Sequence, residues 1–93
     1  MDARPLRIYV AGPMTGIELL NFPAFHGAAR KLRGLGLEVI NPAEINTDPA
    51  AEWADCMRAD IAQLMTCDGV ALLPGWERSR GAFLEQLIAE RSE

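Results

Sequence analysis

Short apolar segments alternate with stretches long enough to form helices, and this alternation limits the fold more than any other feature. The apolar segments are residues 6–11, 37–41 and 69–73, and each runs into a Gly or a Pro. Strands separated by helices of crossover length pair in parallel through right-handed connections. The sequence therefore predicts an α/β fold, β-α-β-α-β-α, with a short parallel sheet in the strand order 2-1-3.

Two helices are expected between these strands and a third after the last one. Their expected ranges are 21–34 (or 23–34), 50–67 and 82–89. Asn21 would cap the first helix, and residues 43–49 would form a polar connector. Helices on both faces of the sheet give a small three-layer, Rossmann- or flavodoxin-like architecture. All 93 residues are expected to form one domain, because a chain of this length holds a single core.

The polar turn between the last strand and the last helix is predicted to bind a ligand. Ligands of open parallel sheets bind at the carboxyl ends of strands, and a helix start directs free N–H groups toward an anion. The Ser79 hydroxyl can donate a hydrogen bond, and Gly81 lets an oxyanion approach the backbone closely. Glu85 lies one helical turn after Gly81, so a carboxylate and an anion-binding turn would share one space.

Glu85 also has a simpler explanation, which the sequence leaves open. A glutamate near the start of a helix commonly complements the helix dipole. It does not belong to a capping box, because the residue three positions after Ser79 is Ala82. It also has no cation four residues further on, where Ala89 stands. Glu85 is therefore either a dipole-complementing residue or a functional carboxylate.

An aspartate interrupts the apolar face of the second helix. That face is formed by Trp53, Met57, Ile61 and Leu64. At about 100° per residue, Asp60 projects between Cys56 and Leu64, inside the apolar face. A carboxylate there must be paired, hydrogen-bonded or open to a cavity. Asp60 is therefore expected either to accept hydrogen bonds from backbone N–H groups of a neighbouring loop or to line a pocket.

A second loop rich in turn residues follows the first strand. It runs Gly12-Pro13-Met14-Thr15-Gly16 and matches neither a Walker motif nor Gly-x-Gly-x-x-Gly. Because the carboxyl ends of neighbouring parallel strands meet at one edge of the sheet, this loop should lie beside the turn that holds Ser79. It is either part of the ligand site or an ordinary β-to-α turn.

Composition and charge exclude several classes of partner and cofactor. With a net charge of −4 and no basic run, neither a nucleic-acid polymer nor an anionic membrane surface is an expected partner. No segment is long enough to span a bilayer and no signal-peptide pattern is present, so a cytoplasmic protein is expected. Cys56, Cys67 and His26 lack metal-ligand spacing, so no metal and no cofactor are expected. So small a sheet leaves edges and faces uncovered, which favours a homo-oligomer.

Four groups of residues occur in an order that is typical of one superfamily. They are Ile8-Tyr9-Val-Ala-Gly12-Pro13, Asn41-Pro42, Asp60 with Asp68, and Ser79-x-Gly81-x-x-x-Glu85. Together they resemble the nucleoside 2-deoxyribosyltransferase-like superfamily, which includes 2'-deoxynucleoside 5'-monophosphate N-glycosidases. The resemblance covers nearly the whole chain and looks closest to a small branch common in phage and prophage genomes.

The resemblance implies roles for three residues in catalysis. Glu85 matches the nucleophile that attacks the anomeric carbon of the deoxyribose. Asp60 matches an aspartate that orients the sugar or handles protons for the departing base, and Tyr9 matches a tyrosine near the nucleophile. Cleaving an N-glycosidic bond develops positive charge on the sugar, which a carboxylate stabilises or captures covalently.

The resemblance also implies how the ligand is held. The turn with Ser79, Arg80 and Gly81 would bind a 5'-phosphate, and the loop from Gly12 to Gly16 would close over the ligand. Thr15 stands where some monophosphate glycosidases carry an arginine, which Arg78 or Arg80 would replace. The pocket wall would include Phe22 and Trp76. Relatives often continue into a further strand and helix, so the sheet is expected to be shortened or completed by a partner.

Three functions follow from these observations. The first is cleavage or base exchange at the N-glycosidic bond of deoxynucleosides or their 5'-monophosphates, a hydrolase with water as acceptor and a transferase with another base. The second is a nucleotide-binding or sensing module on the same fold with little or no turnover. The third is a structural α/β protein without a ligand.

Overall fold

The computed structural model describes residues 4–48 and 50–92 and confirms the predicted α/β architecture. Within them, strands β1 (Arg7–Ala11), β2 (Glu38–Ile40) and β3 (Gly69–Leu72) form an open sheet. The strand order is β2-β1-β3, and both neighbouring pairs are parallel. In the central strand, Ile8 lies opposite Val39 on one side and Gly69 on the other.

Helices cover both faces of this sheet. They are α1 (Phe22–Gly34), α2 (Pro42–Ile45), α3 (Trp53–Leu64) and α4 (Arg80–Arg91), with short 3-10 turns at Glu18–Asn21 and Trp76–Arg78. Successive side chains of a strand point to opposite faces. Val10 accordingly packs with Phe25 of α1, whereas Tyr9 packs on the other face with Leu64 of α3 and Ala82 of α4. The fold is therefore a small doubly wound unit of the Rossmann- or flavodoxin-like kind.

Three helices differ from the prediction, and one of them, α4 (Arg80–Arg91), is longer than the expected 82–89. Residues 43–49 are not simply a polar connector, because Pro42–Ile45 form the short helix α2. The Asn41 side chain accepts a hydrogen bond from the Ala43 N–H, and Pro42 occupies the first helical turn, where its missing N–H costs nothing. Helix α3 is shorter than predicted at both ends, since it begins at Trp53 and ends at Leu64.

Asn21 precedes α1 as predicted but does not cap it with its side chain. Its backbone is left-handed, with φ 61°, and its side-chain amide donates to the Pro13 carbonyl at 2.9 Å. Leu19 and Leu20 just before it are also left-handed, with φ 56° and 52°. Such angles are uncommon for residues other than glycine and mark local strain. The Asn21 side chain therefore ties the loop after β1 to the start of α1.

Within the described part of the chain, no helix combines the length and the apolar character needed to cross a membrane.

Candidate functional site

A cavity of about 860 Å³ opens where β1 and β3 end. Gly12 and Pro13 line it from the loop after β1, and Pro74 and Gly75 line it from the loop after β3. It lies at the carboxyl ends of two neighbouring parallel strands, the usual ligand position in such sheets. Its volume is in the range of pockets that hold small organic ligands.

Most of the residues predicted for the site line this cavity. They are Gly12, Pro13, Met14, Thr15, Phe22, Asp60, Ser79, Arg80, Gly81 and Glu85. Tyr9 does not line the cavity, but its hydroxyl group forms a hydrogen bond with Glu85. Gly16 does not line the cavity, and its φ of 82° shows that it serves the turn itself.

Trp76 does not lie on the cavity wall, although the sequence places it in the predicted loop. It packs against the core cluster that contains Tyr9 and Ala82, and it stacks on Phe83 with ring centroids 6.4 Å apart. The backbone of Gly75 is left-handed, with φ 86°, which reverses the chain just before Trp76. After this turn, the indole ring packs on the face of the sheet that α3 and α4 cover, and not at the cavity.

Glu85 lines the cavity and is buried, with 5% of its surface exposed. The fully buried Tyr9 phenol donates a hydrogen bond to Glu85 Oε2. Within the described residues Oε1 accepts no hydrogen bond, so this oxygen is left for the cavity that Glu85 lines. One oxygen is thus oriented by the core and the other is available to a ligand.

The environment of Glu85 changes its protonation. Burial raises its pKa to about 7, the hydrogen bond from Tyr9 opposes that rise, and the nearby charge of Asp60 adds to it. Burial and the Glu85 charge also raise the pKa of Tyr9 well above its ordinary value. Tyr9 therefore stays protonated and acts as a hydrogen-bond donor.

Asp60 is the second buried carboxyl group of the cavity, with 6% of its surface exposed. The Asn46 amide donates to Asp60 Oδ1 at 2.7 Å. Burial raises the pKa of Asp60 to about 6, and the hydrogen bond from Asn46 lowers it. Asp60 therefore combines features of both expectations, because it is a hydrogen-bonded buried aspartate and a pocket residue. Its partner is a side-chain amide and not the backbone N–H groups expected.

The start of α4 presents donors to the same cavity. Ser79 caps the helix, since its Oγ accepts a hydrogen bond from the Ala82 N–H at 3.2 Å. Its own hydroxyl proton remains available for a ligand, and the N–H groups of Arg80 and Gly81 have no acceptor inside the helix. Gly81 also has a packing role, because a Cβ atom there would lie 3.2 Å from Met57 Sδ.

Positive charge accompanies these donors. Arg78 and Arg80 both line the cavity, and neither forms an ion pair with a carboxylate among residues 4–48 and 50–92. The guanidinium carbon of Arg80 lies 4.4 Å from the ring centroid of Trp53. The site therefore joins two buried carboxyl groups with two arginines and a helix start, which suits a ligand with an anionic end and an electrophilic carbon. No three His, Cys, Asp or Glu side chains of the described chain are grouped as metal ligands.

Asn46 and Trp53 are among the residues of this site that the sequence does not predict. Asn46 follows α2 and lies 14 positions from Asp60, so no local pattern connects the two side chains. The sequence places Trp53 on the apolar face of its helix, yet it lines the cavity and its ring contacts the Arg80 guanidinium. The one available signal was the position of Trp53 at the end of that face, next to the polar loop.

One comparison with known proteins identifies a family. The family model described as a domain of unknown function (DUF4406) matches residues 6–93. The chain belongs to the DUF4406 family. The match names this family and not the nucleoside 2-deoxyribosyltransferase-like superfamily, so it brings no activity with it. No curated protein and no solved structure matches this DUF4406 chain significantly.

Proposed function

We propose that this protein cleaves the N-glycosidic bond of deoxynucleosides or their 5'-monophosphates, or exchanges their bases, with Glu85 as the nucleophile. One observation carries the proposal. Two buried carboxyl groups, Glu85 and Asp60, share a cavity, and each accepts a hydrogen bond from a side chain of another element. The resemblance of the site residues to the nucleoside 2-deoxyribosyltransferase-like superfamily supports the same reaction.

The first step forms a covalent intermediate. Glu85 Oε1 attacks the anomeric carbon, the bond from that carbon to the base nitrogen breaks, and its electron pair leaves with the base. Asp60 donates a proton to the departing base as general acid. In the second step Asp60 removes a proton from a water molecule, whose oxygen attacks the anomeric carbon and releases Glu85. When another base replaces water, the same steps exchange the base.

The raised pKa values of the two carboxyl groups determine how they share a proton near neutral pH. Because their charges interact, Glu85 and Asp60 titrate as a pair, and between pH 6 and 7 the pair holds about one proton. The higher pKa of Glu85 places that proton on Glu85 more often than on Asp60, so the reactive form, with Glu85 ionised and Asp60 protonated, is the less populated of the two. The Tyr9 phenol favours ionisation of Glu85, since its hydrogen bond lowers the pKa of that group.

The part of the cavity beside the start of α4 would bind a 5'-phosphate. Arg78, Arg80 and the N–H groups at the start of α4 offer charge and hydrogen bonds to its oxygens. Ser79 would add its hydroxyl proton. Holding the phosphate there would fix the sugar relative to Glu85, which lies in the same helix.

The test is an overnight incubation of the protein with the four deoxynucleoside 5'-monophosphates and with the matching deoxynucleosides. Chromatography then measures the free base that is released. The wild type would run beside Glu85→Gln and the control Glu77→Gln, an exposed glutamate outside the cavity. Base released by the wild type and by Glu77→Gln, but not by Glu85→Gln, supports the proposal. No base from folded wild type, with saturable nucleotide binding, would replace it with the nucleotide-binding module.

A further inference from the structure

Trp53 and Arg80 are the first residues of α3 and α4, and their side chains meet at the edge of the cavity. The guanidinium carbon of Arg80 lies 4.4 Å from the centroid of the indole ring. A cation within about 6 Å of an aromatic ring centroid is attracted by the ring's electron density. The contact therefore restricts the orientation of an arginine that lines the site.

Trp53 is not explained as a core residue. It is 41% exposed, while Met57 and Leu64 on the same helix are buried. Its indole lies close to Gly81, because a Cβ at Gly81 would be in ordinary contact with Trp53 Nε1 at 3.8 Å. The tryptophan thus packs against the first turn of α4, and its main polar contact there is the guanidinium of Arg80.

Arg80, like Arg78, has no carboxylate to balance its charge among the described residues. Arg7, Arg33 and Arg58 each form an ion pair with a carboxylate, whereas within the described residues Arg80 has none. An aromatic ring holds a guanidinium without neutralising it, and the planar fork stays free to bind two oxygens. Arg80 is therefore held in place with its charge available to a ligand.

We infer that Trp53 is a positioning residue that holds Arg80 at the cavity edge, where the guanidinium binds the phosphate of the ligand. The inference rests on the proposed function for the choice of a deoxynucleoside 5'-monophosphate as ligand. Trp53 acts through Arg80 and thereby sets the preference for a phosphorylated over an unphosphorylated nucleoside. A neutral nucleoside has no group for the guanidinium, so its binding does not depend on this pair.

The experiment is calorimetric titration of proteins that carry Glu85→Gln, so that binding is measured without turnover. The ligands are a deoxynucleoside 5'-monophosphate, the matching deoxynucleoside and inorganic phosphate. Trp53→Leu is expected to weaken binding of the monophosphate and of phosphate about five-fold, as expected for loss of one cation–π contact. It leaves binding of the nucleoside unchanged, and Trp53→Phe keeps most of the affinity because it keeps an aromatic face.

A double-mutant cycle separates positioning from a structural role. In an Arg80→Gln background, Trp53→Leu should cause no further loss, whereas the control Arg30→Gln on α1 should leave all three affinities unchanged. Equal loss for nucleoside and monophosphate, an undiminished effect of Trp53→Leu without Arg80, or no binding of either phosphate ligand would overturn the inference. Base release by protein with native Glu85 decides the proposed function separately, so the two failures are distinguishable.

Discussion

Tyr9 and Glu85 stand 76 positions apart in the chain and are joined by a hydrogen bond from the phenol to Glu85 Oε2. The bond links the middle of the central strand to the second turn of the last helix. Because Tyr9 is fully buried, no water competes for its hydroxyl group. The packing of the sheet against α4 therefore sets the orientation of the carboxyl group that we propose as the nucleophile.

Replacing Tyr9 with Phe should impair the site in two ways. Loss of the donor frees the Glu85 carboxylate to rotate, and it raises the pKa of Glu85 further, because the hydrogen bond lowers it. Base release at pH 7 is expected to fall roughly ten- to a hundred-fold, and a buried unsatisfied oxygen should cost about 1–3 kcal/mol of stability. Urea denaturation and a pH profile of base release measure both effects. An unchanged pH profile would contradict the assigned role of Tyr9.

The free energy of unfolding should depend on pH because Glu85 and Asp60 are buried carboxyl groups with raised pKa values. The pKa values of Glu85 and Asp60, about 7 and about 6, are raised above the ordinary 4.5 and 3.8. A group with a raised pKa in the folded state contributes its full stabilisation below its unfolded pKa. That stabilisation is lost as the pH rises through the folded value. Stability should therefore fall between pH 4 and 7, by an amount on the order of 2–3 kcal/mol for each group.

The matched variant for this measurement is Glu85→Gln with Asp60→Asn, which removes both titrations. Its free energy of unfolding, measured by urea at several pH values, should change less between pH 4 and 8 than that of the wild type. A wild type that gains stability relative to this variant over the same range would contradict the raised pKa values.

Asn46→Ala should alter the second carboxyl group and leave the first in place. The Asn46 amide lowers the pKa of Asp60, so its loss raises that pKa, and the limb of the activity profile governed by Asp60 should move to higher pH. Base release should fall roughly ten-fold as proton transfer becomes misaligned. Carbon NMR of the Asp60 carboxyl group reports the shift without relying on activity. Thr47→Ala, an exposed neighbour outside the cavity, is the control.

Two glycines should respond in opposite directions to replacement by alanine. A Cβ at Gly12 would lie 2.7 Å from the Leu73 Cβ, so Gly12→Ala forces β1 and β3 apart at the cavity and should cost about 1–3 kcal/mol. A Cβ at Gly27, inside α1, meets nothing within 4 Å, so Gly27→Ala should gain up to about 1 kcal/mol from helix propensity. Thermal unfolding measures both, and a stabilising Gly12→Ala would contradict the close approach of the strands.

The positions of the strands and the location of the cavity could be predicted from local patterns. Apolar runs, helix-length spacers and the handedness of crossovers leave few arrangements for three strands, and the order β2-β1-β3 is among them. Once that order is given, the loops after β1 and β3 must meet. That Ser79, Gly81 and Glu85 lie close together could also be predicted, because they are spaced along one turn and the helix that follows it.

Interactions between distant side chains could not be predicted in this way. Trp76 belongs to the predicted loop, yet a left-handed Gly75 turns it toward Phe83. Such a difference depends on one backbone angle that no periodicity records. The same holds for Asn21. Its sequence position predicts a helix cap, but its side-chain amide donates to the Pro13 carbonyl in the loop after β1.

The sequence by itself determined the α/β topology and the edge of the sheet where the cavity lies, because periodicity and connectivity are local properties of the chain. Only the tertiary structure decided which partner each carboxyl group received. Glu85 accepts a hydrogen bond from Tyr9, and Asp60 accepts one from Asn46, and both donors lie in other parts of the fold. These contacts form when helices pack on the sheet, and their geometry depends on the packing of the whole core.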